Sequence, residues 1–103
     1  MTFTGDEGSF ISEEDGVTLT GRYQKRDINT NKAVFLGKEH LLKLLEQDGA
    51  QGIRFYFGLK ADDKLTLVAV AANNEGEDIT SLVLNRGFEC PDYCAHNSPF
   101  RAE

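Results

Sequence analysis

The pattern of hydrophobic and polar positions is clearest over residues 53–72, where two apolar runs flank a short polar loop and predict a β-hairpin. Alternation along the first run places Phe55 and Phe57 on one face and Arg54 on the other. The returning run is apolar on both faces, which is typical of a strand that is covered on both sides. We therefore expect Phe55, Phe57 and Leu67 to form the main core, each stabilising the fold by about 1.5–3 kcal/mol.

A stripe of leucines over residues 37–49 predicts the clearest helix of the chain. Glu39 and Lys43 have the favourable i, i+4 spacing, and Gly49 supplies a stop. The stripe consists of Leu41, Leu42, Leu44 and Leu45. We expect this helix to pack on the hairpin.

An earlier helix is predicted from Ser12 to about Arg26. Ser12 and Asp15 approximate a capping box, and two more acids in the first turn suit the positive end of the helix dipole. Two internal glycines cost about 1 kcal/mol each relative to alanine. Residues 17–20 are Val-Thr-Leu-Thr and would equally suit a strand, so both alternatives stay open.

The rest of the chain completes a prediction of one small α+β domain. Residues 1–10 are predicted to be a flexible acidic arm, and residues 11–103 a single domain. Residues 33–36 predict a short strand, whereas residues 78–84 fit either a helix or a third strand. Residues 88–103 contain both prolines and both cysteines and predict an irregular tail. The expected architecture is two helices packed on an antiparallel sheet built around the central β-hairpin.

Composition and charge narrow the class of function. The 103 residues are 40% hydrophobic and 27% charged, which is typical of a soluble globular protein. A formal charge of −6 repels phosphate backbones and anionic lipid heads, so we expect no nucleic-acid partner and no membrane partner. The basic cluster at residues 22–32 is interpreted as a solvated helix end. We recognise neither a signal peptide nor an apolar run of about 20 residues, the length that a membrane-spanning helix needs. A cytoplasmic location is therefore expected.

The second face of the hairpin is a candidate interaction surface, formed by Arg54, Tyr56, Val68 and Val70. Two alternatives stay open: the C-terminal third folds over this face, or it binds a second copy or a ligand. A cation on a strand must reach water, an acid or a bound anion. For Arg54 the simpler explanation is a salt bridge, or an apolar side-chain stem that carries the charge out to water. The leading hypothesis is a non-enzymatic cytoplasmic interaction protein that binds its partner through this apolar sheet face, with a homodimer as one form.

One group of side chains that could bind a metal or react as thiols lies close together in the sequence, and it consists of Cys90, Cys94 and His96. Thiolates and imidazole are ligands that zinc prefers, although the C-x3-C-x-H spacing is not a common zinc pattern and His40 is the only other histidine. A thiol redox pair, a local disulfide and two reduced cysteines packed as small hydrophobic residues are the other interpretations.

Recognised catalytic motifs do not occur in the chain. It contains no G-x-S-x-G elbow, no phosphate-binding loop and no H-E-x-x-H sequence. The sequence therefore predicts no catalytic residue and no resident cofactor, and an enzyme with an unrecognised site is kept as a third hypothesis.

Three segments carry a resemblance to a group of short hypothetical bacterial proteins of uncharacterised function. These are the helix and hairpin with G-I-R-x-Y-x-G-L at residues 52–59, the strand TLVAVAANNEG and the C-P-x-Y-C tail at residues 90–94. The resemblance spans residues 11–94 and implies a helix over residues 12–26. It implies a fold family but no activity, and it implies no histidine at the position of His96.

Overall fold

The computed structural model describes residues 2–101 as an α+β fold, which confirms the predicted class. Within these residues the helices are α1 (Glu13–Lys25) and α2 (Lys38–Leu45), and the strands are β1 (Ala33–Phe35), β2 (Gly52–Leu59), β3 (Leu65–Ala72), β4 (Asp78–Leu84) and β5 (Phe88–Cys90). The main sheet has the strand order β2-β3-β4, and β1 pairs with β5 in a second, two-stranded sheet.

The predicted hairpin of β2 and β3 is confirmed. The strands pair antiparallel without interruption from Gly52 opposite Ala72 to Leu59 opposite Leu65. In the turn, Asp63 has a positive φ of 65°, and the Asp62 carboxylate accepts a hydrogen bond from the Lys64 backbone amide at 3.1 Å. Aspartate favours such turns because its side chain bonds the local backbone and it tolerates this conformation.

Residues 78–84 form a strand, which resolves the helix-or-strand alternative. The preceding turn is closed by the side chain of Asn73, whose Oδ1 accepts from the amides of Glu75 at 2.9 Å and Glu77 at 3.0 Å. Pairing with β3 then breaks, because Ala71 lies opposite Ile79 whereas Ala69 lies opposite Leu84. The intervening residues of β4 bulge away from the ladder.

The core lies between α2 and one end of the main sheet. Leu44, Ala69 and Ala71 are buried there. The leucine helix therefore packs on the hairpin as predicted, and the partly buried residues around this core are Leu36, Ala50, Ile53, Ile79 and Leu84.

The three residues predicted to form the main core lie outside it. Phe55 is 46% exposed and Phe57 is 81% exposed, so the prediction that they are buried is wrong. Leu67 is half-buried and does not belong to the core cluster. The reason is length: α2 has eight residues and spans about 12 Å. Each hairpin strand also has eight residues but spans about 27 Å. The helix covers the Ile53 end of the sheet and leaves the other end uncovered.

The predicted first helix is confirmed as α1. Ser12 is its N-cap, and the Ser12 hydroxyl accepts a hydrogen bond from the Asp15 amide at 3.0 Å. No residue of α1 is buried. The helix contacts the C-terminal tail: the Gln24 side chain donates to the Phe100 carbonyl at 2.9 Å, and the Phe100 ring lies against Gly16.

The tail begins with a strand that the sequence did not predict. β5 pairs antiparallel with β1, with Ala33 opposite Cys90. Two asparagines join this small sheet to the hairpin. The Asn31 side chain donates to the Leu65 carbonyl at 2.9 Å, and the Asn29 side chain accepts from the Leu65 amide at 2.8 Å.

The N-terminal arm has no regular secondary structure over its described residues, 2–10. The arm nevertheless contacts the main sheet through Phe3, and Gly5 lies close to Gln51, the residue before β2. The Phe3 amide donates to the Asn74 carbonyl at 2.6 Å, and the Phe3 ring lies 5.8 Å from the Arg54 guanidinium. Beyond this contact Phe10 is fully exposed.

Candidate functional site

The four residues predicted as an interaction surface do share one face of the hairpin. Arg54 lies opposite Val70, and Tyr56 lies opposite Val68. Because directly opposite residues in an antiparallel pair project to the same side, the four side chains form one patch.

A polar cluster occupies this face. Arg54 Nη1 donates to Asp78 Oδ1 at 2.5 Å and to the Gly76 carbonyl at 3.0 Å. The Tyr56 hydroxyl donates to the other carboxylate oxygen of Asp78. The salt-bridge interpretation of Arg54 is therefore confirmed, and the cation already has an acid as partner.

The same contacts shift the ionisation of all three groups. The hydrogen bond from Tyr56 is the largest cause that lowers the pKa of Asp78, and Arg54 lowers it further. The bond to Asp78 raises the pKa of Tyr56 and also that of Arg54. All three remain in their usual charge states at neutral pH, so this cluster offers no acid or base poised for catalysis near pH 7.

Little apolar surface is open on this face. Val70 is 5% exposed, and Val68 is half-buried. Tyr56 is the more accessible member, although its hydroxyl is bound to Asp78. Val70 is therefore not accessible to a partner in the chain as folded.

The exposed apolar surface lies on the opposite face, along β2. Phe55 is 46% exposed, Phe57 is 81% exposed and Leu59 is 65% exposed. We call these three residues the hydrophobic edge, because β2 is an outer strand of the main sheet. The alternation of β2 identified this apolar face, but the prediction that the face is buried in the core is wrong. The short leucine helix was the signal that part of the face must stay uncovered.

The molecule as a whole exposes more surface than its mass predicts. Its accessible surface is 7921 Å², whereas a folded monomer of 11.4 kDa is expected to expose about 5,800 Å². The radius of gyration is 15.1 Å, compared with about 13 Å for a compact chain of this length. The excess of about 2,100 Å² includes the hydrophobic edge and the unburied helix α1.

The second predicted site is the cysteine cluster, and there Cys90 and Cys94 form a disulfide. Cys90 is buried, Cys94 is half-buried and His96 is exposed. The intervening turn is closed by the Tyr93 amide, which donates to the Glu89 carbonyl at 2.7 Å.

The disulfide changes the chemistry available to this cluster. Zinc binds thiolates, and a disulfide supplies none, so in this state Cys90, Cys94 and His96 do not make a zinc ligand set. Over residues 2–101, no group of three or more histidine, cysteine, aspartate or glutamate side chains is placed to hold a metal ion. Thiol–disulfide exchange remains available at this pair, of which Cys94 is the more exposed residue.

A small cavity of about 100 Å³ lies beside the disulfide. Lys32 and Arg101 line it together with both cysteines and Phe100. Cations favour the thiolate that forms when such a disulfide is reduced. The cavity therefore combines a reducible bond with positive charge.

Comparisons with known proteins add no identity to this picture. Searches of protein families, of curated proteins and of solved structures find no match for the chain. Neither helix in the described part of the chain is long and apolar enough to span a membrane. The two features of the fold that indicate a function are the hydrophobic edge and the cysteine pair.

Proposed function

We propose that this protein is a non-enzymatic interaction protein that acts by self-association through its hydrophobic edge. The observation that carries the proposal is the exposure of Phe55, Phe57 and Leu59 side by side on one outer strand. Single exposed apolar residues are common on monomers, whereas a contiguous patch on a sheet is typical of an interface.

A dimer interface around this patch needs more than the three residues themselves. A stable interface of standard size buries about 800 Å² on each partner, with an apolar centre and a polar rim. Complete burial of an exposed phenylalanine or leucine contributes about 1.5–3 kcal/mol to association. The three residues of the hydrophobic edge therefore provide a central apolar contact that offsets part of the entropy cost of association.

A pair of matched substitutions tests this proposal. We expect Phe57→Ser to weaken self-association about tenfold or more, because one buried ring is worth at least 1.4 kcal/mol. Ile28→Ser is the control, since Ile28 is 67% exposed but lies in the connection between α1 and β1. Sedimentation velocity over a concentration series measures both dissociation constants. A wild-type chain that stays monomeric, or equal effects of the two substitutions, would contradict the proposal.

The disulfide favours a second candidate function, thiol–disulfide exchange at Cys90 and Cys94. It predicts that a dithiol reductant opens the bond reversibly and that the oxidised protein is two hydrogen atoms lighter in native mass spectrometry. The same spectrum, taken without chelator, reports any zinc bound after reduction. A pair that resists reduction under mild conditions would leave only a structural role for the bond.

The redox state of the Cys90–Cys94 pair also depends on the cellular compartment in which the protein resides. Persistent disulfides are typical of oxidising compartments and rare in the cytoplasm. The proposed cytoplasmic location therefore requires that the Cys90–Cys94 pair is reduced or cycles there. Trapping the thiols at the moment of cell lysis distinguishes these states from a fully oxidised pool.

A further inference from the structure

The outer edge of β2 has no hydrogen-bonding neighbour in the described part of the chain. β2 pairs with β3 on one side, and no other backbone segment of residues 2–101 bonds to its other side. Half of the backbone groups of Gly52–Leu59 therefore face outward without a strand partner. Such an edge is a template for a further strand.

The two edges of the main sheet differ in how they are protected. β4 bulges between Ile79 and Leu84, the residues that pair with Ala71 and Ala69 of β3. Bulges of this kind interrupt strand pairing. β2 pairs over its full length without a bulge and contains no proline. The one charge on β2 is Arg54, which is held by Asp78. The N-terminal arm lies beside the start of the strand, where Gly5 is close to Gln51, but the rest of β2 lacks the features that normally prevent an edge strand from pairing.

We infer that β2 pairs antiparallel with β2 of a second copy, which joins two three-stranded sheets into one continuous six-stranded sheet. This inference rests on the proposed function and names the partner and the geometry of the same surface.

Two arguments select a second copy as the occupant. In an antiparallel pair around a two-fold axis, residues of one face meet residues of the same face, so the hydrophobic edges of both copies join on one side. A net charge of −6 makes two copies repel, but Arg54 is the only charged residue on β2 and it is neutralised by Asp78. The copies therefore approach along a strand that brings no unpaired charge into the contact.

The second copy, placed by the two-fold axis, also covers the apolar surface of the sheet that α2 leaves open. Helix α2 lies over the Ile53 end of β2, and Phe57 lies toward the uncovered end. Antiparallel pairing places the uncovered end of each β2 beside the covered end of the other. Phe57 of one copy is then next to the α2 helix of the second copy, where Leu42 and Leu45 are exposed.

Spin labels at the two ends of β2 test this geometry. Gln51→Cys and Ala61→Cys place labels just outside the strand at exposed positions away from the hydrophobic edge. The native cysteines are in a disulfide and take no label, which the unlabelled wild-type chain checks. Circular dichroism confirms that both variants keep the fold.

The expected distances follow from the rise of a β-strand. In the symmetric dimer, the distance between the two labels at position 51 and the distance between the two labels at position 61 add up to about 70 Å. This sum is the same whichever residue of β2 lies on the two-fold axis. In a mixture of the two labelled proteins, the 51-to-61 distance between copies is below about 20 Å.

The outcomes separate this inference from the proposed function. Long distances between like labels with a short mixed distance support the strand pairing. A dimer whose like labels are close, or whose mixed distance is long, overturns the strand pairing but leaves self-association intact. A chain that is monomeric throughout overturns both.

Discussion

At the scale of single residues, the polar cluster of Arg54, Tyr56 and Asp78 shows how a charge is accommodated on a hairpin. The guanidinium and the phenol both donate to one carboxylate, which connects β2 to the start of β4. The sequence predicted that Arg54 must reach water, an acid or a bound anion, but it did not identify the partner. Asp78 is 24 residues away along the chain, and only the β3–β4 turn brings it back to β2.

This cluster predicts a pH-dependent contribution to stability. The folded pKa of Asp78 lies below its ordinary value of 3.8, so its contribution is present above that pH and is lost as the pH falls through the lowered pKa. The folded pKa of Tyr56 lies above 10.0, so its contribution is present below that pH and is lost as the pH rises through the raised pKa.

We therefore expect Tyr56→Phe to destabilise the fold between about pH 4 and pH 10, with the effect shrinking on both sides of that window. Urea unfolding at a series of pH values measures the difference in free energy of unfolding. Tyr93→Phe is the control, because the Tyr93 ring stacks on Phe88 and keeps that contact without its hydroxyl. An equal, pH-independent effect of both substitutions would count against the cluster.

At the scale of elements, local signals identified most of the secondary structure. Ser12 and the acids after it defined the start of α1, and the leucine stripe defined α2. β5 was missed because three residues are too few to show alternation, and its partner β1 is more than 50 residues earlier in the chain. The role of the apolar face of β2 was missed because alternation shows that residues share a face but does not show how far a helix reaches along it.

The short reach of α2 leads to a prediction within that helix. Leu44 is buried in the core, whereas Leu42 is about half exposed. We expect Leu44→Ala to lower the free energy of unfolding by about 2–5 kcal/mol, because it leaves a cavity. Leu42→Ala is the matched control and should cost much less in the monomer. Thermal and urea unfolding at low protein concentration compare the two, and similar losses would show that α2 packs differently.

At the scale of the whole molecule, the chain combines a large exposed surface with a strongly acidic charge. Two copies with a charge of −6 repel at long range, and salt screens this repulsion. The apolar contact at the hydrophobic edge is weakened little by salt. We therefore expect self-association to tighten as the salt concentration rises toward physiological values. A dissociation constant that increases with salt would indicate an interface held by opposite charges instead.

If the uncovered hydrophobic edge is an interface between two copies, the wild-type chain dimerises in solution, and its molar mass shows this. Sedimentation equilibrium over a range of concentrations is expected to show a reversible transition from 11.4 kDa to twice that mass. A mass that stays at 11.4 kDa up to the highest concentration would show that the hydrophobic edge faces water and is not covered by a second copy.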